Sequence, residues 1–321
     1  MENAQQSSGS ASLLHSPTVA LILVIGASAA FGTVPYFARL LSEAGMAAPA
    51  IAFFRYAFTP ILLFRHIRLD ASHHRASLWG IFAGMGTGLG WIFYVRSLDV
   101  MPVSTAGILY MTYPLFTLMF SRLLFGEALT LRACVASLLI LGAAILGAGQ
   151  INGEGATWSA IALALLAPVS FGFVINVISH RLTILTPRER MTTVPLGSMI
   201  VLIPVLLSLP AEQVLPQSGE ALIALCVLGL FTAFLPNYLY MRFSPVIGAN
   251  TSAVAGSIEL PTMFVIGWLA FAEVLTWQQI IAGCIILAAI TLSSARRVRN
   301  IANVTARPRP RFRRRRKPGT D

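Results

Sequence analysis

Long apolar stretches alternate with short polar breaks along almost the whole chain. Ten stretches stand out, at about 18–41, 47–64, 76–96, 103–124, 130–149, 156–179, 191–209, 219–241, 247–271 and 276–294. The breaks hold most of the charged residues, glycines and prolines. A helix that crosses a bilayer needs about 20 predominantly apolar residues. Barrel strands would alternate apolar and polar positions over about ten residues, and these stretches do not. The pattern predicts an all-α integral membrane protein with ten transmembrane helices.

Arginine placement predicts the orientation, because cytoplasmic loops collect Lys and Arg. With a cytoplasmic N-terminus, the inner loops hold Arg65, Arg68, Arg75, Arg122, Arg132, Arg181, Arg188, Arg190 and Arg242. The outer loops hold only Arg39 and Arg96, and they gather Glu43, Asp99, Glu154, Glu212, Glu220 and Glu273. An even number of spans puts both termini on the cytoplasmic side of a cell membrane, such as a bacterial inner membrane. The first sixteen residues carry no Lys or Arg. They therefore lack the basic start of a secretory signal, and a short disordered tail is expected over 1–17.

The chain also repeats itself. Residues 125–130 read FGEALT, and 146 positions later residues 271–276 read FAEVLT. At the same offset YVR (94–96) falls on YMR (240–242), and Thr105 falls on Thr251. Each copy holds five spans, an odd number, so the second copy must lie upside down. Arg122 and Arg132 flank Glu127, whereas Trp268 and Gln278 take their places around Glu273. That loss of positive charge fits a copy that faces out. Inverted repeats are a mark of secondary transporters, with the substrate site near the midplane between the copies. The expected organisation is 18–149 and 150–294 as two inverted five-helix repeats, with 295–321 as a basic cytoplasmic tail.

Several local patterns go with this architecture. Residues 30–39 read AFGTVPYFAR, and residues 54–56 place Arg55 inside the second span. Tyr113-Pro114 precedes Gly126-Glu127 in the fourth, Ser170 to Gly172 leads to His180-Arg181 in the sixth, and Glu259, Glu273 and Thr276 mark the ninth block. In these residues the chain resembles the drug/metabolite transporter superfamily, specifically its EamA-type ten-helix members. The resemblance covers about 18–294. It departs from the family pattern in the ninth span, where Leu260 separates Glu259 from Pro261. The resemblance implies transport of a small organic metabolite or drug-like solute by alternating access, with export as the direction and proton coupling as one drive.

Glu259 is the sharpest candidate for substrate binding or coupling. It lies midway along an apolar span, where a carboxylate costs about 2.5–3.5 kcal/mol or more. It must be protonated, paired or turned to a wet cavity; a hydrogen bond beside the Pro261 kink is the plainer role. Arg55 is the other ionisable group deep in a span. It could clamp an anionic group bidentately, or bond helix carbonyls and snorkel to an interface. The sequence allows a pair between the two. Asn176 and Asn237 lie inside spans, where amides need partners. With Tyr94, Tyr110, Tyr113 and Tyr238, and with Tyr36 and Trp91 beside them, they form an aromatic and polar set suited to a small-molecule pocket. Interfacial belts are the alternative for each aromatic. Gly84, Gly86, Gly88 and Gly90 present small faces for close helix packing. Glu127 and Glu273 sit at helix ends, where turn geometry or gating could employ them. Thr276 and Gln279 have the spacing of a capping box.

Composition narrows the chemistry. The single lysine, Lys317, lies in the tail, so the body has no P-loop or Schiff-base lysine. Cys134, Cys226 and Cys284 are widely spaced and follow no metal or disulfide pattern. No cofactor or metal is expected. A membrane enzyme acting on a lipid-linked substrate would show clustered acids or histidines, which are missing. A scaffold working through its tail would not need polar residues inside the spans. The net charge of +11 divides into +10 over 296–321 and +1 over the rest. The tail therefore carries the basic character. It directly follows the last span, so anionic lipid headgroups, at about 1 kcal/mol per basic residue, are its expected partner, and nucleic acid is not.

Overall fold

The computed structural model describes residues 17–67, 72–128, 131–148, 158–247, 255–256 and 258–290. Both tails, Arg68, Glu154 and Thr251 lie outside these residues. The described elements are all helical. In chain order they are α1 (Pro17–Gly32 and Val34–Glu43), α2 (Ala48–Leu62), α3 (His74–Leu98), α4 (Val103–Tyr110 and Tyr113–Phe125) and α5 (Leu131–Ala148). There follow α6 (Trp158–His180), α7 (Pro187–Leu207), α8 (Gly219–Gly229, Leu230–Phe234 and Leu235–Ile247) and α9 (Glu259–Phe271), then α10 (Trp277–Ile290). Among the described residues, six helices are long and apolar enough to cross a membrane: α1, α3, α4, α6, α7 and α8. The apolar parts of α2, α5, α9 and α10 are shorter.

Proline sets where these helices break. Pro35 and Pro114 lack the N–H that would bond four residues back. The chain leaves the helix just before each, at Thr33 in α1 and at Met111-Thr112 in α4. Each new segment then begins with its proline in the first turn, where the missing donor costs nothing. In α8 the accommodation is a π turn, Leu230–Phe234, immediately before Pro236. Pro168, Pro195 and Pro204 are carried inside continuous helices.

The loops collect at two ends. At one end Ala47 N donates to Gln213 O (2.8 Å), and Ser42 Oγ donates to Asp99 Oδ1 (2.9 Å). At the other, His180 Nε2 lies 2.8 Å from Glu127 Oε1, and Thr192 Oγ1 donates to His66 O (3.4 Å). The first end holds Glu43, Asp99 and Glu273; the second holds Arg65, Arg181 and Arg190. Large apolar side chains such as Ile22, Phe82, Leu138, Ile145, Ile223 and Leu269 are exposed between the two ends. An apolar surface of that extent suits lipid rather than water.

Helix α1 packs on α8, and α6 packs on α3; α4 packs on α6, and α9 packs on α1. The tightest crossing joins α3 to α7. A Cβ on Gly84 would overlap the Val194 carbonyl, and one on Gly197 would overlap the Ile81 carbonyl. Ser198 Oγ donates to Gly84 O (2.7 Å) across the same contact. Gly88 meets Ser198, Gly90 meets Ser170 on α6, and Gly86 faces open space. Three of the four glycines thus serve close packing.

Candidate functional site

A cavity of about 440 Å³ lies within the bundle, inside the usual range for small-molecule sites. Its lining includes Arg55, Trp91, Tyr94, Tyr110, Glu259 and Met263. Its lining continues to Ser179, Arg190 and Met191 at the arginine-rich end. Arg190 is anchored there by bonds from Nε to Leu185 O (2.9 Å) and from a terminal nitrogen to Thr183 O (3.1 Å).

The helix breaks described above fall at cavity level. Tyr110 and Tyr113 flank the break in α4, and Phe31 and Val34 flank the break in α1. Helix α9 begins at Glu259 itself. Part of the lining thus sits where helices break or begin, while Arg55, Trp91 and Tyr94 come from the unbroken α2 and α3.

An unbroken series of ring contacts crosses the cavity wall. Tyr56 meets Trp91 (6.4 Å between centroids), Trp91 meets Tyr94 (5.1 Å), and Tyr94 meets Tyr110 (5.8 Å). Tyr110 and Tyr113 both pack on Phe171, at 5.9 and 5.1 Å. The Arg55 guanidinium lies 3.9 Å from the Trp91 ring centroid and 5.3 Å from that of Tyr56. Such a stack holds a cation without neutralising it.

Arg55 and Glu259 both line the cavity, yet among the described residues they form no ion pair with each other or with another group. Arg55 Nε is buried without a hydrogen bond, as are the hydroxyls of Tyr56 and Tyr94. Buried polar groups are nearly always satisfied, so this concentration around one cavity marks it out.

Six of the eight candidates read from the sequence meet here: Glu259, Arg55, Tyr94, Tyr110, Tyr113 and Asn237. Asn237 also bonds its own helix, from Nδ2 to Ala233 O (2.8 Å). Asn176 and Tyr238 stand apart. Asn176 is buried, and its amide is committed to Thr117 O (2.8 Å) and Gly172 O (2.9 Å), tying α6 to α4. Tyr238 stacks on Phe234 outside the lining. Tyr36 packs on Phe37 and Phe271.

Tyr56, Tyr240, Phe171 and Arg190 belong to the lining and were not among the candidates. A signal for Tyr240 was available, since it is the partner of Tyr94 at the offset of 146. The same offset joins Ser28 to Val174, Thr87 to Ala233 and Trp91 to Asn237, all of them lining residues. It also joins Tyr110 to Gly256 and Tyr113 to Glu259.

A helical bundle with a lipid-suited surface and an internal cavity is the build of a multi-pass integral membrane protein. A sequence model of the EamA-like transporter family matches residues 18–148 and again 158–295. The chain therefore belongs to the EamA-like transporter family, within the drug/metabolite transporter superfamily. No curated protein sequence matches it significantly. A solved crystal structure shares the fold at 16% identity, with a TM-score of 0.61, over 88% of this chain and 99% of its own.

Proposed function

We propose that this protein is a secondary transporter that moves a small amphoteric organic solute by alternating access, with the Arg55–Glu259 cavity as its substrate site. The observation that carries this is the pair of opposite charges turned to one cavity and not joined to each other. A solute with a carboxylate and an amine would satisfy both. Its anionic group would take the Arg55 guanidinium, a bidentate donor by geometry. Its amine would take the Glu259 carboxylate, and its body would lie against Tyr94, Tyr110, Tyr113 and Phe171. Glu259 also supplies a drive. One carboxylate holds either a proton or an ammonium group, so solute and proton would exchange.

The ten helices are read as two inverted five-helix repeats. Lining residues paired at an offset of 146, and a family match in two segments, support that reading. The arginine-rich end is taken as cytoplasmic by the charge rule, with both termini on that side. Export is the direction that the family resemblance favours. The basic tail would rest on anionic headgroups.

The test uses purified protein and three series of probes: α-amino acids, the corresponding amines, and the corresponding carboxylates. Thermal shifts should favour the zwitterions. Glu259→Gln should abolish the preference for an amine, and Arg55→Gln the preference for a carboxylate. Each should weaken binding by about tenfold or more, the scale of one charge-assisted bond. In proteoliposomes, Glu259→Gln should end uptake driven by a pH gradient. Equal stabilisation by all three series, or unchanged gradient-driven transport in Glu259→Gln, would overturn the reading.

A further inference from the structure

No described residue of the repeated FxExLT motif is among the cavity lining, and its second copy does something specific. Glu273 follows α9 and reaches across to the start of α4. Its Oε1 accepts from Val103 N (2.6 Å), and its Oε2 accepts from Ser104 N (3.1 Å) and Ser104 Oγ (2.8 Å). Gln279 adds a second tie, from Nε2 to Thr105 Oγ1 (3.0 Å) and Ser104 Oγ (3.3 Å). The first N–H groups of a helix have no partner within it. Here Pro102 precedes α4 and caps nothing, so these donors are satisfied from a distant part of the chain. A carboxylate at that position also suits the helix dipole. Gly267 makes room, because a Cβ there would press on the Glu273 carboxylate.

The tie lies at the end of the bundle opposite the one where Ser179, Arg190 and Met191 line the cavity. Three segments converge on it: the second half of α1, the first half of α4, and α9. Phe271, two residues before Glu273, packs on Tyr36, and Arg39 lies over its ring at 4.4 Å. Gly107 of α4 touches Met263 of α9. Each of the three segments starts or stops at cavity level, at Thr33, at Met111-Thr112 and at Glu259. They can therefore splay from that level while the rest of each chain segment stays in place.

The first copy of the motif is built differently. Its Glu127 meets His180 and Ser121 at the arginine-rich end, where the cavity lining continues. Its residue equivalent to Gln279 is Ala133, which has no amide to give.

We propose that Glu273, seconded by Gln279, is the latch of the gate on the acidic side, and that its release from the α4 N-terminus opens the cavity to that side. This rests on the reading of the cavity as a transport path, but its test needs no substrate. A reporter, Thr87→Cys, is placed in the cavity lining after Cys134, Cys226 and Cys284 are changed to serine. An impermeant thiol reagent is then applied to vesicles from each side in turn. With the latch intact, labelling should be faster from the Arg190 side. Glu273→Ala should raise the rate from the acidic side by about tenfold, the scale of losing a charge-assisted bond. Gln279→Ala should raise it less, and Glu127→Ala should not raise it. An unchanged ratio between the sides in folded Glu273→Ala overturns the latch.

If Glu273→Ala does not fold, Pro102→Cys with Val274→Cys, at the exposed positions beside the tied residues and bridged by a short bifunctional thiol reagent, leaves Glu273, Ser104 and Gln279 in place and serves instead. It should block labelling of the reporter from the acidic side, and cleavage of the bridge should restore it. Labelling from that side that persists through the bridge overturns the latch. Absence of any transported solute would instead count against the transport reading and leave the labelling result standing.

Discussion

At the scale of single residues, the two repeat copies treat one position differently. Both α4 and α9 end on a residue in the left-handed region, Gly126 at φ 66° and Ala272 at φ 51°. In both, the following glutamate N–H bonds back, Glu127 to Ser121 O (3.2 Å) and Glu273 to Gly267 O (3.0 Å). Glycine adopts this conformation freely, whereas a Cβ is held there at a cost of about 1 kcal/mol. Ala272→Gly should therefore raise the thermal unfolding midpoint in detergent, and Gly126→Ala should lower it. The same scale shows what the sequence could tell of the site. A charge inside an apolar run is conspicuous, so Glu259 and Arg55 were legible. Asn176 and Tyr238 were not separable from Asn237 and Tyr110. In a soluble helix, the polar face gives direction. In lipid the outer face is as apolar as the packed one, so the run does not say which way a residue points.

At the scale of the element, six of the apolar stretches form, among the described residues, helices long enough to cross a membrane. Only some prolines break their helix, since Pro60, Pro168, Pro195 and Pro204 are carried inside continuous ones. Each break precedes a proline, and the stretches near 18–41 and 103–124 correspond to α1 and α4. The glycine series in α3 was legible as a packing device, but its sorting by partner was not. That depends on which helix happens to lie opposite, and Gly86 faces none within 4 Å. Two neighbouring substitutions separate these cases. Gly84→Ala forces a Cβ into a carbonyl, and overpacking of that kind costs about 1–3 kcal/mol or more. It should lower the unfolding midpoint by several degrees or abolish monodisperse protein on size exclusion. Gly86→Ala should be neutral or slightly stabilising, since alanine favours the helix by up to about 1 kcal/mol.

At the scale of the whole molecule, charge and duplication were the most informative signals. The net charge of +11 first suggests a basic protein, but all except +1 belongs to 296–321. Deleting 300–321 should reduce binding to vesicles rich in anionic lipid and leave the family-matched body folded. Flotation with and without anionic lipid, together with the unfolding midpoint, checks both outcomes. The offset of 146 was legible from short motifs, and it also pairs residues across the cavity wall. The asymmetry between the copies was less legible. It depends on where Glu127 and Glu273 find partners, and those partners lie 53 and about 170 positions away in the chain.

The α3–α7 crossing has a mechanical consequence. At Gly84 and Gly197, one from each matched half, each helix lies against a main-chain carbonyl of the other. Side chains can change rotamer to let neighbours pass, but a carbonyl cannot. Sliding either helix along the other by one residue, about 1.5 Å, would bring a neighbouring side chain toward the carbonyl that now faces a glycine. Turning about the crossing point displaces the contact least. The contact between the two matched halves at Gly84 and Gly197 is therefore built more like a hinge pin than like a slide.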